Sequence, residues 1–184
     1  MEVKGTAVKS IPEFVKAIHS DRYSQWLQSL PEASRKIMSG AIITNNWYPL
    51  KAGLSVPVSI VGSMFYGSPA KGARTMGRYS ADIALTGIYK LYVKMGSPRH
   101  IIERANRVFA AYFQPSEIVT VDSQKNTFIF RITKFDEIDE VVEHNIAGWM
   151  ERALEISGCK NVQVTIPGSM TKGMSFTEFC LKWD

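Results

Sequence analysis

Little in this chain announces a reaction. There are only two cysteines, Cys159 and Cys180, too few for a disulfide framework, and both are expected to be reduced thiols in a cytoplasmic protein. The three histidines, His19, His100 and His144, fall on different predicted helices with no HxxxH partner on their faces. A zinc site needs three or four converging ligands, so no metal is expected. Glu140 and His144 stand four apart on one helix, the spacing of an ordinary surface pair. No Gly-x-Ser-x-Gly elbow occurs, and no run of about eighteen uninterrupted apolar residues, the length that would cross a bilayer. The stretch from Leu50 to Tyr66 comes closest and is broken by Gly53, Pro57 and Gly62. The opening Met1-Glu2-Val3-Lys4-Gly5 lacks the basic-then-apolar shape of a secretory signal. Low-complexity segments and repeats are also missing.

Glycines recur at Gly62, Gly67, Gly72 and Gly77. The segment Gly67-Ser68-Pro69-Ala70-Lys71-Gly72 has the look of a phosphate loop. No Lys-Ser/Thr pair follows the second glycine and no strand precedes the first, so nothing would reach a phosphate or hold its magnesium. Close approach of two helices is the plainer reading of these small residues.

What is present is a globular composition. The chain has 184 residues, 45% hydrophobic and 21% charged, enough for one domain over 1–184 with a real core. The net charge is +5 and unevenly placed. Lys71, Arg74, Arg78, Lys90, Lys94, Arg99, Arg104 and Arg107 lie in a stretch whose acids are Asp82 and Glu103, whereas residues 136–155 are acidic. The basic middle reads as a solvated helix face rather than a nucleic-acid surface. Opposite poles would also suit a homodimer or a like-folded protein partner.

The order of elements gives the fold class. Glu2–Lys9 reads as a strand, with Gly5 marking a bend or close approach. Ser10 is placed to cap a helix with Pro12 in its first turn. Further helices are expected from Ser20 or Asp21 to Leu30, Glu32 to Met38, Leu50 to Tyr66, 70 to 95, and after Pro98 as far as Phe113, with Asn45-Asn46 as a turn before Trp47. Ile118 to Val121 and Phe128 to Ile132 form two strands around a turn at Ser123–Asn126. The clearest element follows. Ile138, Val141, Val142, Ile146, Trp149, Met150, Ala153 and Leu154 recur at three- and four-residue steps, entered through acids and stopped at Gly158. Val162–Ile166 and Met174–Trp183 complete a β-β-α-β-β unit. In that last strand Cys180 sits between Phe179 and Leu181 as a small hydrophobe; Cys159, after Gly158, is expected to be more exposed. The fold class is therefore α/β (α+β): a helical half, about 10–115, packed on a C-terminal antiparallel sheet half, about 116–184.

Val3-Lys4-Gly5-Thr6, the Trp47-Tyr48-Pro49-Leu50 step, Ala147-Gly148-Trp149-Met150 with Ala153-Leu154 and Gly158, Val162-Gln163-Val164, and the closing Phe179-Cys180-Leu181-Lys182-Trp183 carry a resemblance. Together the chain resembles an uncharacterised bacterial family related to heme-NO-binding and vinyl-reductase-like domains, in the superfamily that includes the TRAPP vesicle-tethering subunits. The resemblance implies a sensory or adaptor fold. Its heme branch uses an axial histidine and a Tyr-x-Ser-x-Arg clamp for the heme propionates. Here Tyr66-Gly67-Ser68 runs into Pro69 and Ala70, and Tyr79-Ser80-Ala81 does not fit. The cysteines and histidines of the vinyl-reductase-like branch are reduced to Cys159 and Cys180.

The expectation is a non-enzymatic cytoplasmic sensory or adaptor module with no cofactor. It would bind an apolar small molecule in its core, a protein partner or homodimer mate on its surface, or both, with no nucleic acid and no membrane span. The helical half is rich in aromatics; Trp47, Tyr48, Tyr89 and Phe109 are the candidate ligand-cavity wall, and Lys90, Lys94 and Arg99 the candidate rim for an anion or partner. The alternative is a heme-based gas sensor with His100 as axial ligand. An enzyme using Cys180 or His144, and a nucleic-acid binder, complete the alternatives.

Overall fold

A computed structural model describes residues 1–86 and 105–184. Among these, seven α-helices are joined by two antiparallel sheets. The first sheet is small. β1 (Glu2–Lys4) lies between β2 (Trp47–Pro49) and β3 (Phe113–Gln114). The second holds β4 (Glu117–Gln124), β5 (Thr127–Lys134), β6 (Gln163–Gly168) and β7 (Thr177–Lys182) in the order β4-β5-β7-β6. The expected β-β-α-β-β half is present, with α7 (Glu140–Ile156) between the hairpins.

The N-terminus differs from expectation. β1 stops at Lys4 and α1 runs from Gly5 to Ile18, so Ser10 is not its cap. Ala7, Val8, Ile11, Phe14 and Val15 are all buried, a helical spacing that starts earlier than the alternation suggests. Ser10 returns its hydroxyl to the Ala7 carbonyl at 2.7 Å, and Pro12 sits inside the helix. Gly5 permits the abrupt change from strand to helix, because a Cβ there would lie 2.1 Å from the Ile43 carbonyl oxygen. Trp47–Pro49 pairs with β1 as a strand rather than only leading into a helix.

The helices α2 (Tyr23–Ser29) and α3 (Glu32–Ser39) follow. The helical run after Leu50 contains α4 (Val56–Val61) between two wide π-type turns, Lys51–Ser55 and Gly62–Tyr66. Gly67, at φ +69°, ends it, and α5 (Pro69–Thr86) begins at once. After the undescribed residues, α6 (Ala105–Tyr112) leads into β3.

The α5–α7 contact organises the molecule. A Cβ on Gly77 would lie 1.9 Å from the Asn145 carbonyl oxygen, and one on Gly148 would lie 2.1 Å from the Arg74 carbonyl oxygen. The two backbones therefore touch through a reciprocal pair of glycines. Gly62 and Gly72 bring α5 against the preceding turn in the same way. Close helix approach, the role expected of the glycine series, is what Gly62, Gly72 and Gly77 show, whereas Gly67 has open space around it and serves the turn.

Charge closes the flanks of the same contact. Arg74 donates to Glu151 at 3.1 Å, Arg78 to Glu151 at 3.0 Å and Glu155 at 2.7 Å, and Arg152 to Asp82 at 2.8 Å and Glu155 at 2.9 Å. These members of the basic middle and the acidic segment thus meet within the chain. Hydrogen bonds from Arg78 hold the Glu155 carboxyl below its usual range. A carboxyl whose folded pKa is depressed stabilises above its unfolded pKa and loses that contribution as pH falls through the folded value. Arg78→Ala should therefore cost about 1 kcal/mol at neutral pH and low salt. Urea midpoints of wild type and variant should converge below the carboxylate range and at high salt; a difference unchanged in acid would refute this account.

α7 is capped at its start by Asp139, whose carboxylate accepts from the Val142 amide at 2.9 Å and from the Ser55 hydroxyl. Its C-terminus turns at Gly158, φ +100°, where the Cys159 amide reaches back to the Leu154 carbonyl at 3.1 Å. That turn folds Cys159 under the helix, so it is buried rather than exposed, and burial pushes its thiol pKa up.

Candidate functional site

Ile118 on β4 and Phe130 on β5 form the floor of an apolar cavity. Val108, Phe109 and Tyr112 on α6, with Phe113, form one wall. Asn145, Ile146, Trp149, Met150, Ala153 and Leu154 on α7 form the other, and Ala7 and Ser80 close it from α1 and α5. Its volume is about 90 Å³. Three- and four-residue spacing along α7 makes this arrangement: the stripe that buries Ile146 and Leu154 also carries Trp149 and Met150 to the same side.

The polar groups in this lining are sparse. Asn145 donates its side-chain amide to the Ala73 carbonyl at 3.3 Å. The Tyr112 and Trp149 rings lie 6.2 Å apart. The Trp149 indole Nε1 is buried with no hydrogen-bond partner. A buried indole N–H ordinarily finds an acceptor. No histidine, lysine or arginine lines the cavity among the described residues.

A second feature lies on the other side of α7. Arg74, Glu140, Glu143, His144, Val164, Thr165, Ile166, Ser169, Thr171 and Lys172 line an open cleft of about 590 Å³. Beneath it Glu143 is 3% exposed. Its carboxylate accepts from the hydroxyls of Ser169 at 2.8 Å, Thr177 at 2.5 Å and Thr171 at 3.3 Å. Burial holds the His144 pKa below the usual imidazole value, against the opposing charge of Glu140 at 3.9 Å. This pair is the expected i,i+4 contact. No group of three metal-ligating residues occurs among the described residues.

The predicted residues separate. Phe109 lines the cavity. Trp47 and Tyr48 belong to the small sheet, where Lys4 stacks over the Trp47 ring at 4.5 Å and the Tyr48 hydroxyl accepts from the Ile43 amide at 2.9 Å. Tyr89, Lys90, Lys94, Arg99 and His100 lie outside the described residues. Cys180 stands on β7 beside buried Phe179 and Leu181, paired in register with Ile129 and Thr165. Sequence reading placed Trp149 on the core face of its helix and Tyr112 among the aromatics, without assigning either to a cavity.

No family model matches this chain, and no curated protein sequence does. Solved structures do. An H-NOX (heme-NO-binding) protein from S. oneidensis in its Fe(II)NO state matches with a TM-score of 0.75 at 13% identity, over 98% of this chain and 99% of that one. The Fe(II) unliganded H-NOX protein from K. algicida matches at 0.69 and 10%, over 98% and 96%. A third H-NOX structure, described as probing heme distortion in that family, matches at 0.69 and 11%, over 98% and 95%. The chain has the H-NOX fold, an α+β architecture of the expected class.

The expectation of no cofactor is corrected by these comparisons. It rested on the missing Tyr-x-Ser-x-Arg clamp, a local motif. The likeness lies instead in the placement of helices and strands over nearly the whole chain, which persists at identities where motifs no longer register. No described helix is long and apolar enough to cross a membrane.

Proposed function

We propose that residues 1–184 form one sensory domain, a heme-based gas sensor with His100 as the axial ligand. The observation that carries this reading is the near-full-length likeness to H-NOX structures described with Fe(II), NO and heme. The aromatic cavity between α6, α7 and the sheet supports it, because its lining suits the apolar body of such a group. A macrocycle needs several hundred Å³, so the described residues supply part of a site. Its iron ligand and the cations for its carboxylates would have to come from residues 87–104, where the sequence carries His100, Lys90, Lys94, Arg99 and Arg104. Bound there, heme would supply the iron that takes a diatomic gas. The chain's own part is to exclude water, present one imidazole and surround the ligand with apolar wall.

The reading is of a cytoplasmic protein whose two thiols are free and whose output passes to a protein partner or a second copy. The mixed-charge cleft beside α7, with Arg74, Lys172, Glu140 and His144, is the surface we assign to that contact.

The test is hemin titration of the full chain, followed by absorbance. A saturable Soret band at one equivalent is expected, together with a His100→Gly variant that folds normally and gives a shifted band restored by added imidazole. A chain that folds and never develops the band overturns the proposal. A band identical in the variant overturns the assignment of His100.

A further inference from the structure

β6 is an edge strand, and Val164, Thr165 and Ile166 on it line the cleft beside α7. The alternation of the sheet fixes which of its backbone groups point outward. The Trp183 amide donates to the Asn126 carbonyl at 3.2 Å, toward the β5 side. Leu181, two residues back, faces β5 as well, so Lys182 and Cys180 face β6. Their partners there are Gln163 and Thr165. The amide and carbonyl of Val164 are therefore directed away from the sheet. Arg74 bears this out, donating its guanidinium to the Val164 carbonyl at 2.6 Å. Ile166, two residues on, lies along the same edge. Pro167 follows and has no N–H to offer, so the open edge runs from Val164 to Ile166.

The first turn of α7 lines the same cleft through Glu140, Glu143 and His144. Two of the charged groups there are already matched. The Glu143 carboxylate takes the hydroxyls of Ser169, Thr171 and Thr177, and Arg74 is paired with Glu151. Among the described residues, Glu140 faces His144 at 3.9 Å and no cation closer, and Lys172 is in no ion pair. One acid and one base thus remain for an occupant.

We infer that the cleft takes an extended peptide segment of a partner protein. The segment adds to β6 as a further strand and carries an acidic side chain for Lys172 and a basic one for Glu140. An open strand edge calls for N–H donors and carbonyl acceptors, and a second extended backbone supplies both. The Val164 oxygen has a second lone pair beside the one that Arg74 uses. A helix does not match, because its backbone groups are bonded within it. A second copy pairing through β6 would bring its own Arg74 to the same edge and set like charges together. This inference rests on the reading of the cleft as the partner contact and names that partner's chemistry; heme does not enter it.

The experiment uses the full chain and a pooled library of hexapeptides in which valine, threonine, aspartate and lysine occur at every position. Retained peptides are sequenced, and backbone amides of the chain are followed by two-dimensional NMR and hydrogen exchange. The retained peptides should carry aspartate and lysine at a fixed separation. The amides of Val164 and Ile166 should shift and exchange more slowly on binding. N-methylation of one alternating set of peptide amides, the set facing β6, should weaken binding about tenfold, the loss of one or two hydrogen bonds. Methylation of the other set, which faces away, should change it by less than about twofold. In Lys172→Glu, a substitution on an exposed side chain, the retained peptides should replace the aspartate with lysine.

Equal effects of the two methylated sets overturn strand addition while leaving the cleft as the contact. Retained peptides that shift amides on another face, and none on β6, overturn the inference and the assignment of the cleft together. An empty selection at millimolar peptide overturns the inference. So does concentration-dependent protection of Val164 and Ile166 without peptide, which makes the occupant a second copy. A charge preference unchanged in Lys172→Glu overturns the pairing with Lys172. Failure here is separable from failure of the heme reading, since the chain is used without hemin and each of these readouts stands whether or not it takes heme.

Discussion

Gly77→Ala is expected to be among the most damaging single-methyl additions in the chain, lowering stability by about 3 kcal/mol or more. Alanine favours a helix over glycine by about 1 kcal/mol, so an isolated helix would gain. Here the added Cβ would stand 1.9 Å from the Asn145 carbonyl oxygen and 2.9 Å from the Trp149 amide nitrogen. Neither is the end of a flexible side chain; both are backbone of α7. The helices must separate, and the loss spreads to the neighbouring cavity wall. Gly148→Ala meets Arg74 backbone in the same manner and should behave alike. Because both variants act on one interface, the double variant should cost less than the sum of the two. Urea midpoints measure all three, with Lys71→Ala, on the exposed face of α5, as a neutral control. A Gly77→Ala midpoint equal to or above wild type would refute the close-contact account.

Removing the Glu143 carboxylate is the second large effect. Glu143→Ala should cost about 2–4 kcal/mol. Three hydroxyls lose their acceptor, and two of them belong to residues that are themselves buried, Ser169 at 2% and Thr177 at 0% exposure. These hydroxyls tie α7 to the connection between β6 and β7. The Thr177 oxygen also accepts from the Met170 amide at 3.0 Å, and the Ser169 oxygen from the Thr171 amide at 3.1 Å. Loosening should therefore be local first. Amides of Met170 and Thr171 should exchange with solvent much faster in the variant, while those of α1 keep their protection. Glu143→Gln keeps one carbonyl acceptor and should recover part of the loss. Equal exchange at 170–171 in wild type and Glu143→Ala would sink this assignment.

Neither result was visible in sequence, for identifiable reasons. Glu143 stood among the entry acids of a long amphipathic helix, where dipole and solvent explain carboxylates without further partners. Its three hydroxyl donors lie 26 to 34 residues later and converge only once β6 and β7 pair. Gly77 was suspected, with the rest of its glycine series, of allowing close approach, but which helices meet, and that Gly148 is its counterpart, is a tertiary fact. The pairing of Arg74 and Arg78 with Glu151 and Glu155 was likewise read as two separate charged poles. At the N-terminus the error was local. Val3, Gly5 and Ala7 mimic strand alternation for a few residues, and the helical spacing of Val8, Ile11 and Val15 wins because it buries a longer stripe.

Sequence alone determined the elements whose signals are local and long. These are the apolar stripe of α7 with its acidic entry and Gly158 exit, the turn between β4 and β5, and the β-β-α-β-β order that gives the fold class. Periodicity over seventeen residues is strong because each step repeats the same preference. Only tertiary structure decided the functional geometry. It set Phe109 and Trp149 in facing walls of one cavity, left an indole N–H unpaired, assigned Trp47 and Tyr48 to another sheet, and gave the whole the H-NOX fold at 10–13% identity. A cavity is the space left where several elements fail to touch, and no single segment of the chain encodes it.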